Sequence, residues 1–319
     1  MLIIWYLLGL IGGVATPVQA SYNNKTREEL RSLYLAALLN FITAGILLAV
    51  IVLAMEHNLS VPLREIARQP LWIWLGGVCG IIIQMLNVIC LPKLGSAGNI
   101  MIVCCGQIFA GLAIDQWGLF GSPLIPMTWL RLAGAVLVLL GIAVVNGIRI
   151  GKKDDPGAGA GMGGANLRYV ILATICGFAC AVQVAVNGTL KVYAGSALKA
   201  TLISMSVGFT AIVLLILAVK LVKGRNGIYE EHIRPEHMRL RPYMLAGGVL
   251  ASIVVGGNAL IAPILGTGIV TMLNLIGMIG AGLAIDAAGF LGIDKKPVTA
   301  AKIAGMVLML AGTAMISLM

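Results

Sequence analysis

Two short runs place carboxamides where the surrounding chain is apolar. Gln19-Ala20-Ser21-Tyr22-Asn23 lies in the first hydrophobic stretch, and Gln183-Val184-Ala185-Val186-Asn187 lies about half the chain later. Residues four apart share a helix face, so each run presents two primary amides side by side. A carboxamide donates and accepts hydrogen bonds without carrying charge, which suits a polar ligand that need not be ionised. Buried Asn and Gln also serve as pins between membrane helices. Recurrence of the pair at the same spacing favours a shared polar cavity over a pin. Asn87 and Asn258 are further duplicated amides, and Gln84 stands one turn before Asn87. Ser204, with Asn40, Thr43 and Ser206, is a weaker candidate for a ligand contact, since hydroxyls in membrane helices usually bond their own backbone or let helices approach closely.

Two carboxylates are also duplicated. Asp115 and Asp286 each close a Gly-Leu-Ala-Ile-Asp block shortly before a glycine. Their expected role is structural or gating, pinning a loop or pairing with a basic residue near the membrane surface. Other chemistry finds little support. His57, His232 and His237 fall in hydrophilic loops, and no apolar run holds a His/Glu/Asp constellation, so an intramembrane enzyme is disfavoured. No Gly-x-x-x-x-Gly-Lys-[Ser/Thr] phosphate loop occurs, which removes the nucleotide-driven pump. The six cysteines all lie in apolar runs without disulfide or metal-ligand spacing and read as reduced packing residues. No cofactor and no metal is expected.

The elements that must hold these amides are transmembrane helices. The 319 residues are 60% hydrophobic and 11% charged, where a soluble domain carries roughly 25% charged residues. This composition describes an all-α, polytopic membrane protein whose first partner is the lipid bilayer. The net charge of +10 belongs to loops between apolar runs, so it orients helices rather than attracting nucleic acid. About ten runs reach the roughly 20 residues that a span needs: 2–22, 33–54, 71–91, 97–116, 128–148, 167–190, 197–220, 243–262, 268–288 and 299–318. The first run lacks the basic n-region of a signal peptide and is read as a span, with Thr16-Pro17 expected to kink or break it. Trp72, Trp74, Trp129 and Tyr243 stand near run starts as interfacial anchors.

The chain repeats itself. The block from Gly106 to Gly121 returns from Gly277 to Gly292, and the same register pairs Gly76-Gly77 with Gly247-Gly248, Asn87 with Asn258 and Pro126 with Pro297. The expected organisation is a five-helix repeat over 1–150, a Gly-rich linker over 151–166 and a second five-helix repeat over 167–319. An odd number of spans inverts the second copy, an architecture that fits alternating access at a site between the repeats and puts Asp115 and Asp286 on opposite faces. Loops after odd-numbered spans hold 17 of the 22 basic residues and the others hold 5. Both termini are therefore predicted outside and loop 220–242 cytoplasmic.

At this point the residues resemble a family. The duplicated Ala-Ile-Asp block, the Gln-x-x-x-Asn on the first helix of each repeat and the five-helix unit of about 150 residues are similar to the YdcZ-type branch of the drug/metabolite transporter superfamily. The resemblance implies a fused antiparallel two-domain inner-membrane transporter, related to the small multidrug resistance transporters and labelled an exporter. Those smaller relatives carry a membrane-embedded glutamate on the first helix. By spacing, Gln183 and Gln19 occupy its place, and an amide does not titrate. The expected function is secondary transport of a small polar or cationic molecule, by a monomer or homodimer. The alternatives are a passive channel or facilitator and, less favoured, a structural membrane subunit. The glycine spacing at Gly76, Gly77 and Gly80 permits close helix contacts within the chain or between protomers.

Overall fold

The computed structural model describes residues 2–145, 164–230, 240–265, 267–292, 295 and 297–317. The expected linker over 151–166 falls almost wholly outside them, as do Arg149, Lys152 and Lys153. Long helices dominate, and no strand occurs among the described residues. They are α1 (Leu2–Leu30), α2 (Leu33–Glu56), α3 (Leu75–Leu94), α4 (Ser96–Trp117), α5 (Trp129–Val145), α6 (Gly164–Ala194), α7 (Ala197–Lys223), α8 (Ala246–Leu265), α9 (Thr267–Ala288) and α10 (Ala300–Ser317). Helix is the conformation that satisfies its own backbone groups in lipid. Among the described residues, seven helical segments are long and apolar enough to cross a membrane, and shorter apolar helices cover Trp129–Gly141, Pro242–Asn258 and Ala300–Ile316.

Helix α1 does not end where hydropathy falls. It continues to Leu30 through Lys25, Arg27 and Glu28, residues that favour helix and can pair at its polar end. Nor does Pro17 break it: the helix passes through that residue without interruption. The Thr16 hydroxyl donates to the Gly12 carbonyl and the Ser21 hydroxyl to the Pro17 carbonyl, bonds that fasten the turns on either side. Serines start the next helices in both places, Ser32 accepting from the Leu35 N–H and Ser196 from the Leu198 and Lys199 N–H groups.

Packing is dominated by helices far apart in sequence. Helix α1 lies against α8 and α9, α6 lies against α3 and α4, and α5 lies against α10. Gly134 on α5 faces Gly312 on α10, while Gly141 faces Gly305, so these two helices run antiparallel. Ala37 and Phe41 on α2 cluster with Ile212 on α7, whereas Leu48 and Val52 cluster with Leu198, giving a second antiparallel pair. Closeness depends on missing side chains. Gly13 sits on the backbone carbonyl of Asn274, and Gly177 sits on that of Val103, leaving no room for a Cβ at either place. The largest cluster, around Met101, Cys104, Val138, Ile279 and Met309, joins α4, α5, α9 and α10.

A polar track along one face of α3

Gly76, Gly80 and Gln84 recur every fourth residue and so form one stripe of α3. The amides of α6 and α1 both meet this stripe. Asn187 lies against Gly76, where a Cβ would strike its Oδ1, and Gln183 donates from Nε2 to the Gly76 carbonyl at 2.9 Å while lying over Gly80. The Ser204 hydroxyl of α7 donates to the Asn187 Oδ1 and closes this node. Eight residues further along α3, about 12 Å by helical rise, Asn23 donates from Nδ2 to the Gln84 Oε1 at 3.2 Å. Gly247 on α8 provides the matching notch: its missing Cβ would meet the oxygens of Asn23 and Asn40.

The registers fix where the glutamines fall. Asn23 pairs with Gln84 and Arg27 with the Val88 carbonyl, so α1 runs parallel to α3 here. One turn back, Gln19 falls at the level of Gly80, where Gln183 arrives from α6. Gln19 is half-buried and its amide makes no hydrogen bond among the described residues. The two Gln-x-x-x-Asn runs thus approach one face of α3 from opposite directions, with Asn23 and Asn187 at its two ends and the glutamines between.

Other polar residues act between neighbouring helices. The Asn87 Oδ1 accepts from the Asn99 Nδ2 at 2.8 Å, joining α3 to α4, and the Asn258 Oδ1 accepts from the Asn274 Nδ2 at 2.9 Å, joining α8 to α9. These two asparagines stand apart from the α3 track by those bonds. Thr43 and Ser206 donate to carbonyls of their own helices. Asn40 had the weaker sequence signal yet lies on the Asn23 node. Sequence marks Asn274 as the lone amide of the run 268–288, whereas Asn99 shares the run 97–116 with Gln107 and Gln116 and has no distinguishing local signal.

The duplicated aspartates work differently from each other. Asp115 accepts from Arg131 at 2.6 Å, and Arg131 also donates to the Ile125 carbonyl, tying the end of α4 to the start of α5. Asp286 is buried and accepts from the Ser96 and Ala97 N–H groups at 2.7 and 3.1 Å, so the last turns of α9 cap the first turn of α4. The two carboxylates therefore sit near opposite ends of α4.

Both ends of the α3 track carry ties: beyond Asn187, Thr189 donates to the Phe120 carbonyl, and Glu56 accepts from Ser196 and pairs with Lys199 at 3.5 Å. At the Asn23 end, Arg27 holds Glu230 with two hydrogen bonds of 2.6 and 3.0 Å, and the Ser32 hydroxyl donates to the Ile228 carbonyl. Tyr22 packs edge-on against Phe290 at 6.0 Å, beside a cluster of Val18, Ala20, Leu91 and Ile285. At the other end Lys191 and Val192 are exposed on a depression of about 430 Å³, which Glu56, Ser196 and Leu260 also line.

These features define a multi-pass helical membrane protein with a polar track between helices distant in sequence. The chain belongs to the family described as "Putative inner membrane exporter, YdcZ", which matches residues 4–144 and again residues 168–315. It is accordingly a multi-pass inner-membrane protein of a family described as exporters. A solved crystal structure is similar along 97% of this chain and 96% of its own, with a TM-score of 0.52 and 17% identity, a likeness of fold alone. A comparison with curated proteins finds no match.

Proposed function

We propose that the protein is a secondary transporter of a small polar molecule. In this reading ten spans form two inverted repeats, over 1–150 and 167–319, that rock about a site on the α3 track. The observation that carries the reading is the approach of both Gln-x-x-x-Asn runs to one α3 face from opposite ends. The exchange of partners supports it, since α1 packs on α8 and α9 as α6 packs on α3 and α4. So do the antiparallel glycine contacts of α5 with α10. Gln19, Asn23, Gln183 and Asn187 are the proposed ligand-facing residues, with Gln84 and Ser204 beside them. Asn87 and Asn258 position helices around the site, and Asp115 and Asp286 fix helix ends. In this reading the Arg27–Glu230 tie marks the closed end of the track and the depression beside Lys191 the end that opens. By the basic-residue count, the closed end faces the cytoplasm and both termini lie outside. Export is the direction that the family description suggests.

The test needs no known ligand. Spin labels at Lys25 and Lys223, one in each repeat, report the closed end, and labels at Thr189 and Leu59 report the equivalent positions across the repeats at the other end. Rocking requires two distance populations at each pair, with the shorter distance at one end accompanying the longer at the other. A single fixed distance at both pairs, or both ends open together, would defeat the proposal.

A further inference from the structure

The two nodes of the track are unequal, and two residues make them so. Aligning Gln19 with Gln183 places Asn40 opposite Ser204, and the register of Gly76 with Gly247 places Gln84 opposite Val255. At the Asn187 node both amides are engaged: Ser204 donates to the Asn187 Oδ1 and Gln183 donates to the Gly76 carbonyl. At the Asn23 node three primary amides share a single hydrogen bond, from Asn23 to Gln84. Gln84 is 8% exposed and its Nε2 has no partner, while Asn40 is 6% exposed and its Oδ1 has no partner. The oxygens of Asn23 and Asn40 converge on the notch at Gly247. Buried amides with unused donors and acceptors cost stability, so their presence points to a group that completes them.

We propose that the Asn23 node is the recognising half of the track and takes an uncharged ligand edge with a donor and an acceptor side by side, as in a carboxamide, a ureide or a vicinal diol. This rests on the transporter reading above and narrows its substrate. Gln19, Asn23, Asn40 and Gln84 offer amide dipoles and no formal charge, so a buried cation finds no counter-charge among them. The nearby Arg27 is engaged by Glu230. A primary amide presents its oxygen and its nitrogen side by side, which matches a donor–acceptor edge in either orientation.

The experiment is a thermal-shift titration of the purified full chain with two sets of small probes. One set is uncharged (acetamide, urea, nicotinamide, glycerol), and the other is cationic (tetramethylammonium, tetraethylammonium, tetraphenylphosphonium). The variants Asn40→Ser and Gln84→Val transplant the residues of the opposite node and so keep to side chains that this architecture already tolerates. At least one uncharged probe should raise Tm in the wild type, and each variant should weaken that binding at least tenfold. Without probe, Asn40→Ser should keep or raise Tm, because a buried amide with an unused group has been removed, whereas Gln84→Val also strips the buried Asn23 donor of its acceptor and is judged by binding alone. Four results overturn the proposal: probe-free Tm falling in Asn40→Ser, equal binding by wild type and variants, stabilisation by cations alone, or no response to any uncharged probe. The spin-label distances separate the two ideas. If the wild type exchanges between two populations while only cations bind, the carrier stands and this ligand class falls.

Discussion

The two aspartates show how identical sequence blocks acquire different duties from their surroundings. Asp115 neutralises Arg131, whose side chain is nearly buried, whereas Asp286 serves two backbone N–H groups of another helix. Removing one partner of a buried pair leaves the other uncompensated, at a cost of about 3 kcal/mol or more. Asp115→Ala should therefore lower thermal stability strongly, and adding Arg131→Leu should restore part of the loss, as a double-mutant cycle by thermal denaturation would reveal. Asp286→Ala removes a cap and should cost about 1–2 kcal/mol, while Asp286→Asn retains an acceptor and should cost less. A different outcome is expected at Gln183. Its bond goes to a carbonyl within helix α3, so Gln183→Leu should change stability by about 1 kcal/mol or less. Ligand-dependent stabilisation or transport should nevertheless be lost. A large fall in Tm with function intact in the surviving protein would make the glutamine a pin. Gln183→Glu adds a titratable group at this position, and binding of cationic probes should then become pH-dependent.

At the scale of helices, much was legible in the sequence and the partnerships were not. Apolar length marked the runs, and the duplicated Gly76-Gly77 and Gly247-Gly248 marked where helices approach most closely. Hydropathy ended the first run at residue 22, because it cannot see that Lys25, Arg27 and Glu28 remain helical beyond the apolar part. Which amide meets which was also hidden. Asn23 finds Gln84 and Asp286 finds the start of α4 only through packing between distant segments, and no local pattern encodes such a choice. Asn40 and Ser204 looked alike as single polar residues, and only their neighbours separate them. The glycine contacts give the element-scale prediction. Gly134→Leu would drive a side chain into the Gly312 carbonyl of α10 and should lower Tm, whereas Gly45→Leu, whose Cβ position has no atom within 4 Å, should not. Gly177→Leu would push a side chain into the Val103 carbonyl and should cost about 1–3 kcal/mol or more.

For the whole molecule, orientation is the open quantity that charge decides. With 17 of 22 basic residues on one side by the loop count, a cysteine at Ser317 should react with an impermeant maleimide in intact cells once native cysteines are removed. Labelling only after permeabilisation would reverse the assignment, and with it the side on which Arg27 closes the track.

The seat of α1 between α8 and α9 also bears on how the protein is made. Helix α1 leaves the ribosome first, yet α9 is complete only once Ala288 has been added. At elongation rates of about 5–20 residues per second, that interval is roughly ten to fifty seconds. Throughout it the notches at Gly9 and Gly13, whose partners are Ile261, Leu273 and Asn274, face lipid, insertase or a temporary neighbour. A nascent chain arrested after α5 should accordingly be a quality-control substrate, whereas the same fragment made alongside a separate α6–α10 polypeptide should assemble. The order of synthesis thus leaves the oldest part of the chain waiting longest for its place.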